Sequence, residues 1–173
     1  MPDLPIYGSV ATAFGWVAVA ASSQGLVAVT LPQPDERSAL ALLRNQVGVM
    51  VPDIEKRLAA VLDRLRRYYA GEAVELDDLL DMSCGTPFQC RVWNATRQVP
   101  RGGTTTYGEL ARQVGAGPDG ARAVGRCMAQ NPWPPLVPCH RVLGKDGGLT
   151  GFAGGLDTKR RMLEMEGALL PLA

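Results

Sequence analysis

The most informative segment of the chain reads Asn131-Pro132-Trp133-Pro134-Pro135-Leu136-Val137-Pro138-Cys139-His140-Arg141-Val142. It contains the single histidine of the protein, directly beside one of its four cysteines. The four prolines exclude a helix, because proline fixes φ and removes a backbone donor. The segment is therefore predicted to be a stiff, extended, apolar loop that holds the thiol of Cys139 in place.

The Cys-His pair suggests an activated thiol. A cysteine is a nucleophile as its thiolate, and a free thiol with a pKa of about 8.5 is mostly protonated at neutral pH. Histidine is the side chain best suited to remove that proton near pH 7. Because neighbouring side chains usually point apart, we expect His140 to reach Cys139 through a bridging water or a turn. The alternative is that Cys139 is a small buried apolar residue without chemistry.

Composition indicates a soluble globular protein in a reducing compartment. The 173 residues are 46% apolar, with a mean hydropathy near zero, and no apolar run approaches the ~20 residues that a membrane-spanning helix needs. The first residues do not resemble a signal peptide. The cysteines lack paired spacing and there is one histidine, which argues against disulfides and metal sites. We therefore expect a cytoplasmic protein without metal, cofactor or membrane partner.

The net charge of +1 conceals an asymmetry between two halves. Residues 1–83 contain seven Lys and Arg against eleven Asp and Glu, whereas residues 84–173 contain eleven against six. A basic second half suits contact with a polyanion, although surface charge can vary this much by chance. We predict a small N-terminal α/β support domain at 1–83 and a functional domain at 84–173.

The first half alternates strand and helix signals. Period-two apolar positions predict a hairpin or meander over residues 7–31, with a turn at residues 22–25. Asp35 is expected to open a helix. A longer amphipathic helix is predicted from an N-cap at Asp53 to Gly71, with Ile54 on its apolar face.

The second half contains several helix signals. Capping boxes at Thr86 and Thr106 predict two helix starts. A third helix is expected around Arg122, and a last helix is expected after a cap at Asp157. The glycine-rich residues 151–155 lack the Lys-Ser/Thr of a phosphate loop and are predicted to pack against a flat aromatic ligand.

Two short helices joined by a glycine-containing turn suggest a helix-turn-helix. Apart from its arginines and the core candidates Val124 and Met128, the second helix consists of small residues. Major-groove helices present long polar side chains to base edges. A helix of Ala and Gly that carries Arg122 suits the minor groove instead. The alternative is that these small residues serve helix packing.

The ordered motifs of residues 86–167 resemble the O6-alkylguanine-DNA alkyltransferases, also called methylated-DNA–protein-cysteine methyltransferases. The matching motifs are Thr86-Pro87-Phe88-Gln89, Tyr107-Gly108-Glu109-Leu110-Ala111, Ala121-Arg122-Ala123-Val124-Gly125, Asn131 with Pro138-Cys139-His140-Arg141-Val142, and Gly151-Phe152-Ala153-Gly154-Gly155. The resemblance covers about half of the chain. It implies an α+β fold, with a small ribonuclease-H-like α/β domain followed by a mostly helical, winged-helix-like domain that contains the helix-turn-helix.

The resemblance implies direct-reversal DNA repair. An alkyl group, such as methyl, would pass irreversibly and stoichiometrically from O6-alkylguanine, or from O4-alkylthymine, to Cys139. His140 would be the base acting through a water, Glu166 would orient His140, and Asn131 would shape the loop. The alternative for Glu166 is a cap or an ion pair near the end of the last helix.

The resemblance also implies the DNA contacts. The assigned residues are Tyr107, Arg122, Arg126, Lys145, Phe152 and Ala153. Tyr107 would protonate the departing base at N3, Arg122 would replace the extruded nucleotide, and Arg126 and Lys145 would lie near phosphates. The expected partner is double-stranded DNA containing O6-alkylguanine, bound through its minor groove by a monomer.

Three positions depart from common family patterns. Cys127 stands where Ala or Ser is usual, and Phe152 stands where Tyr is also common. Ala153 stands where some members have Ser, which removes a possible hydrogen bond to the lesion.

Other functions compete with alkyl transfer. A catalytically impaired lesion-binding relative would lack the cysteine. A helix-turn-helix regulator leaves the combination of Cys139, His140 and Glu166 unexplained, and a cysteine hydrolase would use a distant histidine.

Overall fold

The computed structural model describes residues 3–172. The chain forms two compact units. The first unit runs to Cys84 and also includes Pro132–Leu136, whereas the second comprises Gly85–Asn131 and the chain from Val137 onward. Part of the proline-rich segment therefore belongs to the first unit, and the chain passes through that unit before it reaches Cys139. No helix within residues 3–172 is long and apolar enough to cross a membrane.

The first unit contains a four-stranded sheet with the order β3-β2-β1-β4. Its strands are β1 (Ile6–Thr12), β2 (Gly15–Ser22), β3 (Gly25–Val29) and β4 (Val51–Pro52). β1, β2 and β3 form an antiparallel meander, and β4 pairs with β1 in parallel. The predicted turn at residues 22–25 is confirmed. Gly25 has a φ of 145°, and a Cβ there would lie 2.6 Å from the carbonyl oxygen of Leu79, so glycine is required.

Helices α1 (Glu36–Val47) and α2 (Ala59–Tyr69) cover opposite faces of this sheet. The cluster that joins the sheet to α1 consists of small strand residues and two helix residues, namely Ala18, Ala20, Ala28, Ala39 and Leu43. Gly8 lies on the other face, where a Cβ would be 3.0 Å from Leu62 Cδ1 of α2. Because successive strand residues point to opposite faces, the small residues let each helix approach the sheet closely.

The predicted start of α1 is confirmed, but that of α2 is wrong. Asp35 caps α1 by accepting the backbone N–H of Ser38 at 2.7 Å. Asp53 instead accepts the N–H groups of Arg57 at 3.0 Å and Leu58 at 2.6 Å, and so closes a turn before α2. Lys56 has a φ of 56°, which is incompatible with an α-helix. The side chain of Ile54 therefore lies in solvent, 85% exposed, instead of on the apolar face of α2.

The proline-rich segment is anchored to β3. Trp133 is fully buried, and its indole N–H donates to the carbonyl oxygen of Leu26 at 2.7 Å. The carbonyl oxygen of Pro132 accepts the N–H of Val29 at 2.8 Å. Both hydrogen bonds lie within the first unit. They fix Pro132 and Trp133 to β3 before the chain returns to the second unit.

The second unit is mostly helical. Its elements are α3 (Pro87–Arg97), α4 (Tyr107–Gln113), α5 (Gly120–Ala129), α6 (Leu156–Met165) and the parallel pair of β5 (Thr105–Thr106) and β6 (Val142–Leu143). A 3₁₀ turn at Cys139–Arg141 precedes β6. The expected combination of a small sheet-containing unit and a mostly helical unit is confirmed.

Both predicted capping boxes are present, whereas the cap of the last helix is wrong. Thr86 caps α3 and Thr106 caps α4, and each also donates its backbone N–H to the side chain of the third helical residue. α6 follows Gly155, which has a φ of 85° and provides no side-chain cap. Asp157 lies inside the first turn, where its carboxylate still interacts favourably with the helix dipole.

α4 and α5 pack closely, and the predicted core residues Val124 and Met128 are buried. A Cβ at Gly120 would lie 2.9 Å from the Cβ of Ala111. Gly120 therefore serves helix packing, as the alternative interpretation of the small residues proposed. Gly125 does not, because a Cβ there would have only Tyr107 Cδ1 nearby, at 3.9 Å.

Replacing Thr86 should destabilise the protein through α3. The Thr86 hydroxyl accepts the N–H of Gln89 at 3.1 Å, and the Thr86 N–H donates to the Gln89 side chain at 2.9 Å. Loss of an N-cap hydroxyl typically costs about 1 kcal/mol. We expect Thr86→Ala to lower the free energy of unfolding in urea by that amount. Thr104→Ala, at an exposed position outside the helices, is the control and should change it little; equal effects would contradict the capping role.

Candidate active site

Cys139 lies in a short turn with little freedom to move. The turn Cys139–Arg141 is fixed by backbone bonds from the Cys139 N–H to the Val137 carbonyl at 2.8 Å and from the Arg141 N–H to the Pro138 carbonyl at 2.9 Å. Cys139 itself is 8% exposed. The thiol is therefore held in place, as predicted, but residues 132–137 form bends and turns, so the predicted extended conformation of the loop is wrong.

Asn131 closes the loop that precedes the thiol. Its side-chain N–H donates to the carbonyl oxygen of Val137 at 2.8 Å, and its side chain also hydrogen-bonds to the sulfur of Cys139. Asn131 and Val137 are the residues at which the chain leaves and re-enters the second unit. The side-chain amide of Asn131 therefore stabilises the conformation of the loop and also hydrogen-bonds to the sulfur of Cys139.

His140 contacts Glu166, as expected. Nε2 of His140 and Oε1 of Glu166 are 2.8 Å apart, and both side chains are fully buried. Burial lowers the pKa of His140, although the hydrogen bond and charge of Glu166 act in the opposite direction. The imidazole is therefore neutral at neutral pH and can accept a proton.

Glu166 also binds Arg141, which the sequence analysis missed. Arg141 donates from Nε to Oε2 at 2.9 Å and from Nη2 to Oε1 at 2.8 Å, while its Nη1 donates to the Val99 carbonyl at 2.6 Å. Burial acts to raise the pKa of Glu166, but hydrogen bonds from His140 and Arg141 outweigh it and hold this pKa below its ordinary value. Glu166 is therefore ionised, and the two roles that the sequence left as alternatives are combined in one carboxylate.

The thiol of Cys139 is protonated in the resting protein. Burial raises its pKa, and this outweighs the hydrogen bond from Asn131, the positive charge of Lys159 and the N–H groups of Cys139 and His140. Formation of the thiolate therefore requires a proton acceptor and a compensating charge.

Lys159 of α6 is a further candidate functional residue, and the sequence analysis assigned it no role. Its side chain is fully buried, and Nζ donates to the carbonyl oxygens of Val142 at 2.7 Å and Thr150 at 2.9 Å. A lysine on an amphipathic helix normally predicts a solvated face. The available signal was its spacing from Glu166, since i and i+7 residues share one face of a helix.

The residues predicted to contact DNA are only partly grouped. Tyr107, Arg122 and Lys145 line a cleft of about 520 Å³ at α4 and α5, together with Thr106, Gly108, Glu109, Arg112, Ala121 and Gly125. The hydroxyl of Tyr107 donates to the Thr150 carbonyl at 3.5 Å. Arg126 is exposed on α5 but does not line this cleft.

Phe152 and Ala153 lie apart from that lining, in the loop before α6. Phe152 is half-buried and Ala153 is exposed, and the Phe152 carbonyl accepts the N–H of Gly155 at 3.0 Å. Cys127 is buried in the second unit, where burial raises the pKa of its thiol and its carbonyl accepts the indole N–H of Trp93 at 2.9 Å. Among residues 3–172, no group of three or more His, Cys, Asp or Glu is arranged to hold a metal ion.

Comparisons with known proteins point to one family. The family described as "6-O-methylguanine DNA methyltransferase, DNA binding domain" matches residues 87–168. The methylated-DNA–protein-cysteine methyltransferase of Mycobacterium tuberculosis (strain H37Rv) is 49% identical over 113 residues, which cover 65% of this chain and 67% of that protein. The crystal structure of Mycobacterium tuberculosis OGT in complex with DNA is similar with a TM-score of 0.79 and 37% identity, over 94% of this chain and 93% of that one.

A more distant structure shares the fold. The O6-methylguanine-DNA methyltransferase of the archaeon Pyrococcus kodakaraensis superimposes with a TM-score of 0.69 at 23% identity, over 95% of this chain and 99% of that one. The mixed α/β architecture therefore extends beyond close relatives.

Glu166→Gln should make the stability of the protein less dependent on pH. Because the folded-state pKa of Glu166 is lowered, its contribution is present above the unfolded pKa of about 4.3 and is lost as pH falls through the folded value. The variant should lack this decline in the unfolding free energy. It should also be destabilised by about 3–5 kcal/mol at pH 7, because Arg141 loses its buried partner.

Urea unfolding between about pH 3 and pH 8 measures both effects. Glu75→Gln removes an exposed carboxylate and should keep the wild-type profile. An unchanged acid decline in Glu166→Gln would show that another group causes it.

Proposed function

The chain belongs to the methylated-DNA–protein-cysteine methyltransferase family, and on this premise we propose that it repairs alkylated DNA by accepting the alkyl group on Cys139. The lesions are O6-alkylguanine and O4-alkylthymine in duplex DNA. One observation carries the proposal. His140, the single histidine, directly follows the buried Cys139 and contacts the buried and ionised Glu166. This arrangement supplies a nucleophile, a base and an anion that stabilises the protonated base.

Transfer balances without another reactant. The thiol proton passes through a water to His140, and the imidazolium is stabilised by Glu166. The sulfur forms a bond to the alkyl carbon, the bond from that carbon to O6 breaks, and its electron pair stays with the base. The hydroxyl of Tyr107 donates a proton to N3 of the guanine, and the imidazolium returns the thiol proton through water to the Tyr107 phenolate. The proton on N3 then exchanges through solvent to N1. A thioether and unmodified guanine result, and because the thioether is not reversed, each molecule acts once.

Asn131 and the loop before α6, which we call the substrate loop (residues 150–155), complete this site. The bonds of the Asn131 side chain to Val137 and to the sulfur keep the thiol oriented toward the reacting carbon. Phe152 and Ala153 form the wall against which the extruded base lies. The methyl side chain of Ala153 offers no hydroxyl to the lesion, so recognition there depends on backbone and shape.

DNA binding involves α4 and α5 as a helix-turn-helix that enters the minor groove. The close approach is favoured by the small residues Ala121 and Gly125 in the cleft beside Tyr107. Arg122, exposed on α5, fills the space left by the flipped nucleotide. Arg126 and Lys145 are both exposed and neutralise phosphates, and a single chain is sufficient for these contacts.

The finer fold assignments follow from the same family. We assign the second unit to the winged-helix-like class, with α4 and α5 as its helix-turn-helix and the β5–β6 pair as its small sheet. The first unit is assigned to the ribonuclease-H-like class. Its antiparallel meander with a parallel edge strand and a helix on each face supports this assignment.

Exposure to duplex DNA containing O6-methylguanine should add one methyl group per protein molecule. We expect the added mass on the peptide that contains Cys139, whatever the excess of DNA. Cys139→Ser should gain no mass but still bind the duplex, because a hydroxyl is a far poorer nucleophile than a thiolate. Intact and peptide mass spectrometry measure both, and Cys84→Ser, at an exposed thiol, is the control that should retain transfer.

Three outcomes would contradict this assignment. Methylation of Cys127 would place the acceptor elsewhere, and repeated turnover would exclude a stable thioether. Lesion binding by the wild type without any gain in mass would favour a catalytically impaired lesion-binding protein or a helix-turn-helix regulator.

Arg122→Ala should separate base extrusion from chemistry. Transfer from duplex DNA requires the base to leave the stack, which costs a few kcal/mol, so we expect its rate to fall by roughly 10–100-fold. Transfer from free O6-benzylguanine needs no extrusion and should change less than about twofold. Rates of alkylation with both substrates give the comparison, and Arg91→Ala, at an exposed arginine on α3, is the control. Equal losses on both substrates would show that Arg122 has a structural role only.

A further inference from the structure

Lys159 is a buried cation without a buried anionic partner. Its ammonium donates to two neutral carbonyl oxygens, those of Val142 and Thr150, and it forms no ion pair with a carboxylate of residues 3–172. Buried charges are normally paired, because removal from water costs several kcal/mol even after relaxation. A fully buried lysine held by carbonyls alone therefore needs an explanation.

One neighbouring group can compensate the positive charge of Lys159. His140 and Arg141 of the turn both bind Glu166, so this carboxylate is already matched by the Arg141 guanidinium. Tyr107 of α4 shares the Thr150 carbonyl with Lys159, because its hydroxyl also donates to that oxygen. The ionisable group whose charge acts on Lys159 is the thiol of Cys139.

We propose that Lys159 is a positioning residue that acts as the counter-ion of the Cys139 thiolate during alkyl transfer. The ammonium is fixed by the carbonyl of Val142, which directly follows the Cys139–Arg141 turn, and by the carbonyl of Thr150 at the start of the substrate loop. This inference rests on the proposed role of Cys139 as the alkyl acceptor.

The electrostatics support this placement. The charge of Lys159 acts to lower the pKa of the Cys139 thiol against the larger effect of burial. Burial lowers the pKa of Lys159, and the charge of Cys139 acts to raise it. The two groups therefore stabilise each other's charged forms, and this interaction is present only while the sulfur is a thiolate.

His140 and Lys159 then have different tasks. His140 removes the proton, and Lys159 lowers the free energy of the anion that remains. A lower thiol pKa also reduces the intrinsic reactivity of the thiolate, but by less than half as much on a logarithmic scale. The thiolate population therefore increases more than its reactivity declines, and the net effect at neutral pH is faster reaction.

Lys159→Met tests the proposal, since methionine approximates the length of lysine without its charge. An opposite charge within a few ångströms typically shifts a pKa by about 1–3 units. We therefore expect the midpoint of the pH–rate profile for labelling Cys139 with iodoacetamide to move up by at least about one unit. Labelling at pH 7 should slow at least about threefold and recover at high pH.

Matched variants separate charge from packing. Lys159→Arg keeps the charge and should keep the midpoint near that of the wild type. Lys56→Met makes the same chemical change at an exposed lysine and should alter nothing. Peptide mass spectrometry restricts the readout to Cys139 among the four cysteines. A uniform slowing of Lys159→Met at every pH, with an unmoved midpoint, would overturn the proposal and leave Lys159 a structural role.

A second measurement avoids the unfolding that a buried substitution can cause. Lysine side chains labelled with ¹³C are titrated by NMR in the wild type and in Cys139→Ser. We expect Lys159 to lose its proton at lower pH in Cys139→Ser, because the thiolate that holds the proton is absent. Identical titrations would overturn the proposal.

The proposed function can fail independently of this inference. Iodoacetamide labelling and lysine titration need no alkylated DNA. Suppose that both shifts are observed but the protein gains no mass from O6-alkylguanine. The role of Lys159 as counter-ion would then be supported, and the role of Cys139 as alkyl acceptor would be contradicted.

Discussion

Glu166 is the carboxylate on which the buried polar cluster depends. It accepts hydrogen bonds from both nitrogens of the Arg141 fork that face it and contacts the ring of His140. Without Arg141, Glu166 would be an unpaired buried charge, and the same holds for Arg141 without Glu166. An unpaired buried charge is far more costly than the loss of a surface ion pair. Because Glu166 ends α6 and the other two belong to the turn at Cys139, the same contacts that stabilise the second unit also fix the orientation of the imidazole.

The charge balance of this cluster determines how the thiol can ionise. Arg141 matches Glu166, and burial keeps His140 neutral, so the cluster has no excess negative charge that would oppose a thiolate. Moving a proton from Cys139 to His140 separates charge within a buried region. In the proposed mechanism, the imidazolium would lie against Glu166 and the thiolate would lie within the field of Lys159. Each new charge therefore has an opposite charge already in position, which reduces the reorganisation that ionisation requires.

Local signals in the sequence were sufficient for much of the fold. The capping boxes at Thr86 and Thr106 and the N-cap at Asp35 are short-range hydrogen-bond patterns, so they could be recognised without tertiary information. The start of α2 was not predictable in this way, because Asp53 satisfies two N–H groups of a turn as readily as those of a helix. The pairing of Arg141 with Glu166 and the burial of Lys159 depend on long-range packing of α6 against the turn. The helical periodicity of the apolar residues alone predicts that such charged residues are solvated.

The composition of the loop before Cys139 has a physical reason beyond stiffness. Residues 133–138 are all buried, and buried backbone N–H groups need partners that a loop rarely provides. Pro134, Pro135 and Pro138 have no N–H, so the segment can be buried with few donors left to satisfy. Trp133 anchors it to β3 within the first unit, and the Asn131 side chain joins its two ends within the second. A loop with few backbone donors to satisfy can hold a thiol in an apolar setting, and in the proposed mechanism that setting is the reason for a base and a counter-ion.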